Sequence, residues 1–542
     1  MTSASSTGGG APPERPNRFP EVFSPSPETL ARHRARLLDP PTALRAPDGS
    51  WPLTTAYRAD SLLLPAREAQ SLRPEEPNDY NTALESIGVE LQAPGEPGWL
   101  ENLRRVDPEL PVPVQLVTRS DAATDRAPDP WSALVRLRNA FGEDLRGRQI
   151  GMNHLVTAAS VTVEGAPVNH GGQVDGAPVN HGGGMGESRI ALYTGSRNPV
   201  AMLGRRPVRR AAAQLVGARR PVVAVLDTGI GRHDWLPVGP LGTDPVVEVS
   251  EDFQLELAAH EPWLSPHPLV DPADQPDVVR PLLGLTDSHF GHGTFVTGLV
   301  HQMCPDARIL SLRVLESDGF STEGSVLLAL DWLRRRVEHA IEHGLPDQLV
   351  DVVSMSLGFY PETAAPGEVQ QVADVIKRLT DLGVLVVAAA GNDATTRPFL
   401  PAAFGADPVG GTGNSQLAAI GALNASGVTT AAFSNDGPWV RRWAPGNALI
   451  STVPSWQGAA NPGVGIPDGG GVGPRMRTSP DPDDLRTGFA VWAGTSFATP
   501  VVAGLIAESM AGDPETNKRF GTERAHTALK LTDIRLEERG WL

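Results

Sequence analysis

The sequence predicts an α/β protein whose main domain is a doubly wound, mostly parallel sheet, preceded by a small α+β domain. Between residues 221 and 512, apolar runs such as PVVAVLD, ARILSLRVL, VDVVSMSLG and GVLVVAAAG alternate with amphipathic stretches that end in glycine. Runs that are apolar at every position are typical of parallel strands buried on both faces. Their alternation with helices is typical of a doubly wound sheet. The length of 542 residues also exceeds that of one ordinary domain.

The region before this sheet divides into two parts. Residues 1–54 are rich in Pro, Ser, Gly and Arg, which predicts a disordered tail with one short helix around ETLARHRARLL. Residues 55–163 contain four strand candidates, TAYRADSLLLPA, VELQA, PVPVQLVTRS and IGMNHLVTAASVTV, with helical stretches after the first and third. The resulting β-α-β-β-α-β order predicts a ferredoxin-like α+β domain.

A tandem repeat follows this small domain. GAPVNHGGQVD is followed directly by GAPVNHGGGMG, and the Gly and Pro content predicts that residues 164–215 form a linker. The paired histidines, His170 and His181, suggest a metal site, but two histidines with one nearby acid make a poor ligand set. We therefore favour a duplicated linker, followed by a main domain at residues 216–515 and a C-terminal extension at residues 516–542.

The composition excludes several classes of function. The net charge of −17 argues against nucleic acid as a partner, because phosphate binding needs clustered Lys and Arg. Cys304 is the single cysteine, so no intrachain disulfide is predicted. The first residues show no basic region followed by an apolar one, and no apolar run approaches the roughly 18 residues that span a membrane. We therefore expect a cytoplasmic protein with no membrane partner.

Four polar residues lie just after predicted strands or at the start of predicted helices. In a doubly wound sheet, reactive groups collect beyond the carboxyl ends of the strands. Asp227 ends an apolar strand in VVAVLDTGI, and His292 lies between glycines in GHGTFVTGLV. Ser496 begins an apolar helix in GTSFATPVVAGLIA, and Asn392 follows a strand in AAAGN. Each residue has a purely structural alternative, as a turn cap, a structural histidine or a helix N-cap. Together they predict a nucleophile, its general base, the acid that orients the base, and an oxyanion donor.

These motifs, in the order Asp, His, Ser, resemble those of the subtilisin-like (S8) serine peptidases over about residues 221–513. The resemblance implies hydrolysis of peptide bonds through an acyl-enzyme. It makes Asp227, His292 and Ser496 the catalytic triad and Asn392 the oxyanion donor. It also implies that two segments bind the substrate strand and border its first specificity pocket: Ser356, Leu357 and Gly358, and Ala389, Ala390 and Gly391. The small residues of the second segment predict an open, apolar pocket.

The resemblance extends to the N-terminal region and has departures in the main domain. The β-α-β-β-α-β region resembles the inhibitory pro-domain of the family, which implies that residues 55–160 dock on the main domain and inhibit it.

The main domain departs from the family pattern by two predicted inserted loops, at residues 251–280 and 455–486. They either border the substrate cleft or lie elsewhere on the surface. Many members of the family bind calcium, but the sequence has no Asp-x-Asp loop of the expected spacing. We therefore assign no cofactor and no metal ligand, and calcium stays an open alternative.

The prediction from the sequence is thus a serine endopeptidase that acts on protein or peptide substrates. Two alternatives stay open. One is a dedicated processing protease for a single partner protein or precursor peptide, which the inserted loops favour. The other is a catalytically silent scaffold, which the intact set of four polar residues argues against.

Overall fold

The fold is taken from a computed structural model of the chain. It describes residues 24–72, 78–94, 99, 103–121, 127–142, 150–160, 197–215, 219–260, 269–363, 369–405, 413–458, 466–467, 476–477, 483–512 and 520–542.

The described chain contains both helices and strands, which we number in chain order. The α-helices are α1 (Pro27–Arg32), α2 (Ala66–Ala69), α3 (Asp79–Leu84), α4 (Pro130–Phe141), α5 (Glu251–His260), α6 (His292–Met303), α7 (Glu323–His343), α8 (Gln370–Asp381), α9 (Thr495–Gly512) and α10 (Thr522–Glu538). The strands are β1 (Ala35–Leu37), β2 (Ala56–Pro65), β3 (Val89–Gln92), β4 (Pro111–Thr118), β5 (Gly151–Ala158), β6 (Asn198–Pro199), β7 (Val222–Asp227), β8 (Val247–Val249), β9 (Arg308–Arg313), β10 (Phe320–Thr322), β11 (Val352–Met355), β12 (Leu357–Gly358), β13 (Leu385–Ala389), β14 (Leu417–Leu423), β15 (Arg442–Pro445), β16 (Leu449–Thr452), β17 (Ile466–Pro467), β18 (Met476–Arg477) and β19 (Phe489–Trp492).

The main domain is built on a parallel sheet of seven strands, in the order β15-β14-β13-β11-β7-β9-β8. Every residue of β7 is buried, as its continuous apolar sequence predicts. Successive residues of β7 point to opposite faces, so Val223 and Val225 belong to one apolar core and Ala224 and Leu226 to another. This arrangement confirms the predicted α/β class with a parallel sheet.

Helices cover both faces of this sheet. On one face lie α6, α9 and α10, which contribute residues such as Phe295, Phe497 and Leu536 to one core. On the other face lie α7 and α8, which contribute residues such as Leu330 and Ile376. The second core also includes apolar residues of the N-terminal region, so one continuous core joins this region to the main domain.

The N-terminal region forms an antiparallel sheet in the order β5-β2-β4-β3. The helices α2 and α3 follow its first strand, and α4 follows its third. The rings of Tyr80 on α3 and Phe141 on α4 meet edge to face, with centroids 5.6 Å apart. The strand β5 continues beyond this sheet into the main domain, where it pairs with β10 and β12.

Three predicted boundaries differ from the structure. In the predicted tail, α1 corresponds to the predicted short helix, but residues 35–37 also form β1, which is hydrogen-bonded to β2. The predicted loop at residues 251–280 begins with helix α5, whose Phe253 is buried against the sheet. The predicted C-terminal extension contains α10, whose apolar side packs into a core. The tandem repeat and much of the predicted loop at residues 455–486 lie outside the described residues.

No helix in the described part of the chain is long and apolar enough to cross a membrane.

Candidate active site

The site begins with a hydrogen-bonded Asp–His pair at the carboxyl end of the central strand. Asp227 is the last residue of β7, and its Oδ1 lies 2.6 Å from Nδ1 of His292, the first residue of α6. Both side chains are buried. The Thr228 amide donates to the same carboxylate oxygen at 2.8 Å. A carboxylate in this position fixes the tautomer and the orientation of an imidazole ring, which directs the other ring nitrogen, Nε2, outward as a base.

Glycines allow β7 and α6 to approach closely enough for this contact. Gly291, which precedes His292, has a φ of 85°, a conformation that favours glycine. A Cβ atom on Gly293 would lie 2.2 Å from the Gly229 carbonyl oxygen. Side chains at these positions would therefore push the helix away from the strand and separate His292 from Asp227.

A second buried carboxylate supports the same region. Oδ2 of Asp274 accepts hydrogen bonds from the Gly291 amide at 2.6 Å and from the Thr228 hydroxyl at 3.2 Å. The Thr228 hydroxyl in turn accepts from the Gly293 amide at 3.0 Å. Burial raises the pKa of Asp274 to about 7. Asp274 thus connects the turn after Asp227 with the start of the helix that carries His292.

The candidate nucleophile lies at the start of the second core helix. Ser496 is the second residue of α9, where free backbone N–H groups and the helix dipole favour negative charge. Its hydroxyl donates to the Ser356 carbonyl at 2.9 Å, and its carbonyl accepts from the Ser356 hydroxyl at 2.7 Å. Among the described residues, Nε2 of His292 has no hydrogen-bond partner. A rotation of the Ser496 hydroxyl away from Ser356 is needed to bring it to this nitrogen.

Asn392 lies beside the start of the same helix. Its Oδ1 accepts from the amide and from the hydroxyl of Thr495, both at 2.9 Å. The Thr495 hydroxyl also accepts from the Gly391 amide at 3.1 Å. Because its oxygen accepts these two hydrogen bonds, the other polar atom of the Asn392 side chain is the amide nitrogen, which can act only as a donor.

The chain's own β5 runs through the site in an extended conformation. Its C-terminal half is antiparallel to β10 on one side and to β12 on the other. Beyond the strand, the Ala159 amide donates to the Ser356 carbonyl at 2.9 Å. The Ala159 carbonyl accepts from the Ser496 amide, also at 2.9 Å. The Ser496 amide therefore contacts a peptide carbonyl of the N-terminal region.

Three of the six predicted substrate-binding residues lie directly beside this strand. Ser356, Leu357 and Gly358 lie on the strand that pairs with residues 157–159. Ala389, Ala390 and Gly391 lie at the end of β13, beside Asn392. The ring of Phe399, which belongs to neither segment, lies against Gly358 and Gly391, where the sequence predicted an open pocket.

Buried ion pairs hold the N-terminal region against the main domain. Nδ1 of His154 on β5 lies 2.6 Å from Glu323, and its Nε2 lies 2.9 Å from Glu362. Burial by itself lowers the pKa of His154, but the charge of Glu323 and hydrogen bonds to both carboxylates outweigh it and raise the pKa to about 9. Burial likewise disfavours ionised Glu362, yet the hydrogen bond and charge of His154 lower its pKa to about 2. His154 is thus protonated at neutral pH.

A second contact of this kind lies at α1. Nε2 of His33 lies 2.8 Å from Asp318, and Arg32 reaches Glu316 at 2.5 Å. The atoms of His33, Glu316 and Asp318 lie close enough to ligate a metal ion. However, the Arg32 guanidinium already contacts both carboxylates, with Asp318 3.3 Å away, and His33 contacts Asp318 as well. We interpret the cluster as an ion-pair network.

Several residues of this site were not found from the sequence. Asp274 lies in a segment predicted to be an inserted loop, and His154 is a lone histidine in a strand. Ala159 is one of many alanines, and no local pattern distinguishes it. The partners of His154, Glu323 and Glu362, lie 169 and 208 residues further along the chain. No sequence motif encodes contacts between residues so far apart.

Comparisons with known proteins identify the same region of the chain. The sequence model of the subtilase family, peptidase S8, matches residues 218–533. The chain is 28% identical over 262 residues to the intracellular serine protease of Paenibacillus polymyxa, which covers 43% of this chain and 62% of that protein. It is 26% identical over 288 residues to the minor extracellular protease Epr of Bacillus subtilis (strain 168), covering 51% of this chain and 35% of that protein.

A third relative gives a similar picture. The major intracellular serine protease of Bacillus subtilis (strain 168) is 28% identical over 179 residues, which cover 30% of this chain and 47% of that protein. The chain therefore spans less than two thirds of the length of each of these relatives.

Proposed function

The chain belongs to the subtilase family, and on that premise we propose that it is a serine endopeptidase with Asp227, His292 and Ser496 as its catalytic triad. The observation that carries the proposal is the contact of a peptide carbonyl with the Ser496 amide, next to the buried Asp227–His292 pair. A peptide bound in this way presents its carbonyl to the hydroxyl of the same serine.

The reaction follows from the positions of these groups. The Ser496 hydroxyl, once turned from Ser356, attacks the carbonyl carbon while Nε2 of His292 takes its proton. Asp227 stabilises the resulting imidazolium through Nδ1. The negative oxygen is held by the Ser496 amide and by the side-chain amide of Asn392. The imidazolium then protonates the leaving amine, and a water molecule hydrolyses the acyl-enzyme by the same steps.

Labelling with a fluorophosphonate tests this proposal directly. The probe forms a covalent bond with an activated serine, so we expect the full chain to gain one label, located on Ser496 by peptide mass spectrometry. The variant Ser496→Ala should lose the label, and Ser509→Ala, which changes another buried serine of α9, should keep it. If neither the folded full chain nor a folded protein without residues 1–160 is labelled, the chain is a silent scaffold and the proposal is wrong.

We further propose that the N-terminal region inhibits this activity by occupying the substrate path. Residues 155–159 form main-chain hydrogen bonds on both sides, as a bound substrate strand would. The Ala159 carbonyl accepts from the Ser496 amide, which supports hydrolysis of the Ala159–Ser160 bond as the step that separates the region from the main domain.

Removal of residues 1–160 tests the inhibition. We expect peptidase activity on a denatured protein substrate to rise, or folding to fail if the region also guides folding of the main domain. Expression of residues 1–160 as a separate chain should then restore folding or restore the inhibition. Unchanged activity of a folded, truncated protein would contradict the proposal.

The relatives also suggest a place of action. Two of the relatives are named as intracellular proteases, which supports the proposal that this chain also acts in the cytoplasm on proteins or peptides.

A further inference from the structure

The first specificity pocket of this site lies between two walls that end in glycine. Gly358 ends β12, and Gly391 follows β13. Both glycines are buried, and neither carries a side chain that could fill the space between the walls. Whatever third group lies between them therefore decides how large a substrate side chain can enter.

The third group is the ring of Phe399. A Cβ atom on Gly358 would lie 2.4 Å from Cε1 of this ring. A Cβ atom on Gly391 would meet Nδ2 of Asn435 first and would lie 3.1 Å from Cγ of the ring. The ring therefore touches both walls. With only 2% of its surface exposed, it occupies the space that a large substrate side chain would need.

Neighbouring contacts hold this ring in place. The residue after Phe399, Leu400, exchanges two backbone hydrogen bonds of 2.9 Å with Phe359. The ring also faces that of Tyr360, with centroids 4.9 Å apart. The Tyr360 hydroxyl is itself fixed, because it accepts from Asn435 at 2.7 Å. Moving Phe399 aside would disturb all of these contacts, and densely packed interiors resist such movement.

The residue that the site holds has a side chain that fits the remaining space. Ala159 is fixed at both ends, with its amide on Ser356 and its carbonyl on Ser496. It is buried, with 3% of its surface exposed, and its side chain is a single methyl group. A leucine or phenylalanine at this position would extend further and compete with the ring of Phe399.

We propose that Phe399 restricts the residue on the acyl side of the cleaved bond to small side chains such as Gly, Ala and Ser. The inference rests on the proposed function, because it names the substrate class of the same site. This restriction distinguishes the chain from a peptidase with an open pocket, which would accept large apolar residues. The physiological target should thus present a small residue before the cleaved bond, as the chain itself does at Ala159.

Two peptide phosphonates that react with an activated serine test the proposal on the full chain. They share the sequence Val-Thr-Ala and end in the phosphonate analogue of either Ala or Phe. We expect the Ala probe to label Ser496 about 100-fold faster than the Phe probe, in line with the discrimination that a well-filled pocket can achieve. Because both probes compete with the same N-terminal strand, its effect cancels in the ratio of the two rates.

Variants of the ring then identify its contribution. In Phe399→Ala the ratio should fall at least about tenfold, since the ring no longer opposes a large side chain. The ratio for Phe399→Leu should lie between the ratios for Phe399→Ala and the unchanged chain. This variant keeps the test valid if the alanine variant does not fold. Phe404→Ala removes another phenylalanine from the same segment and should leave the ratio unchanged.

The outcomes separate this inference from the proposed function. A fluorophosphonate without a side chain reports whether Ser496 reacts at all, so its failure would contradict the enzyme rather than the role of Phe399. If that probe reacts but the unchanged chain accepts both peptide probes equally, the restriction is wrong. It is also wrong if folded Phe399→Leu and Phe399→Ala keep the full preference for Ala.

Discussion

His154 gives the contact between the N-terminal region and the main domain a measurable dependence on pH. The imidazole lies between the carboxylates of Glu323 and Glu362, and its ring stacks on Phe359 with centroids 4.4 Å apart. Arg138 also contacts Glu362, at 3.2 Å. When β5 leaves the site, the imidazole enters water and returns to its ordinary pKa of 6.5, whereas docked it has a pKa of about 9.

The sign and size of the effect follow from this difference. A base whose pKa is higher in the docked state stabilises docking fully below pH 6.5, and this contribution is lost as the pH rises through about 9. The total contribution is roughly 3 kcal/mol, since one pKa unit corresponds to about 1.4 kcal/mol. Between about pH 7.5 and 9, docking should weaken by about 1.5 kcal/mol, or roughly tenfold in the opening equilibrium.

Hydrogen exchange of the backbone amides in residues 151–160 measures this opening. The experiment uses Ser496→Ala, so that the chain stays intact, and corrects for the intrinsic increase of exchange with pH. Opening should increase roughly tenfold over this range. In the double variant with His154→Gln, opening should be greater at neutral pH and nearly independent of pH.

The surroundings of His154 determine the pH range of this experiment and its control variant. Burial lowers the pKa of the nearby Arg397 to about 10, so the measurement stops at about pH 9, before this arginine loses its proton. His343→Gln is the matched control, because His343 is exposed on the same helix that carries Glu323. If the opening equilibrium changes with pH by the same amount in Ser496→Ala and in the double variant with His154→Gln, the reasoning is refuted.

Three further predictions concern single side chains. Asn392→Ala should lower kcat by about 10²- to 10³-fold with little change in KM for a peptide substrate, because an oxyanion donor acts mainly in the transition state. Asp274→Ala should lower the unfolding free energy by roughly 2–4 kcal/mol in denaturant titration, since it leaves the Gly291 amide and the Thr228 hydroxyl buried without an acceptor, whereas Asp274→Asn should cost less. Leu536→Ala should lower the unfolding free energy by about 2–5 kcal/mol in the same titration, because Leu536 is fully buried. A change near zero would instead support the prediction that these residues form an extension outside the main domain.

The sequence predicted the main sheet and its reactive residues because their signals are local. A strand buried on both faces is apolar at every position, and a polar residue at its end is conspicuous, as Asp227 is after VVAVL. A glycine before a helix start marks a close approach, as Gly291 does before His292. These patterns depend on a few adjacent residues, so a single sequence reveals them.

The rest of the site depends on contacts between distant segments. Phe399 lies between two walls that precede it in the chain, and only the folded chain shows which side chain enters that space. Asp274 belongs to a segment whose Pro and Asp content indicates a surface loop, yet its carboxylate is buried against the start of α6. Helix α10 lies beyond the motifs that resemble the subtilisin-like peptidases, and polar residues alternate with its buried face, which includes Leu536.

Under the proposed function, the strand β5 combines two kinds of contact with different consequences. The main-chain hydrogen bonds of residues 155–159 are available to any extended peptide and thus give little selectivity. His154 adds a charged contact that a substrate without a histidine at this position cannot reproduce. The N-terminal region should therefore bind more tightly than a substrate of the same backbone geometry.

Cleavage of the Ala159–Ser160 bond would not by itself release the inhibitor, because His154 lies upstream of that bond and would keep its contacts with Glu323 and Glu362 of the main domain. It would convert an intramolecular contact, with its high effective concentration, into one that dissociates on dilution. A cleaved chain should thus remain inhibited until the N-terminal region dissociates, and the ion pairs of His154 should set how slowly this happens. Activity that appears at the same rate as cleavage, in both the unchanged chain and His154→Gln, would contradict this order of events.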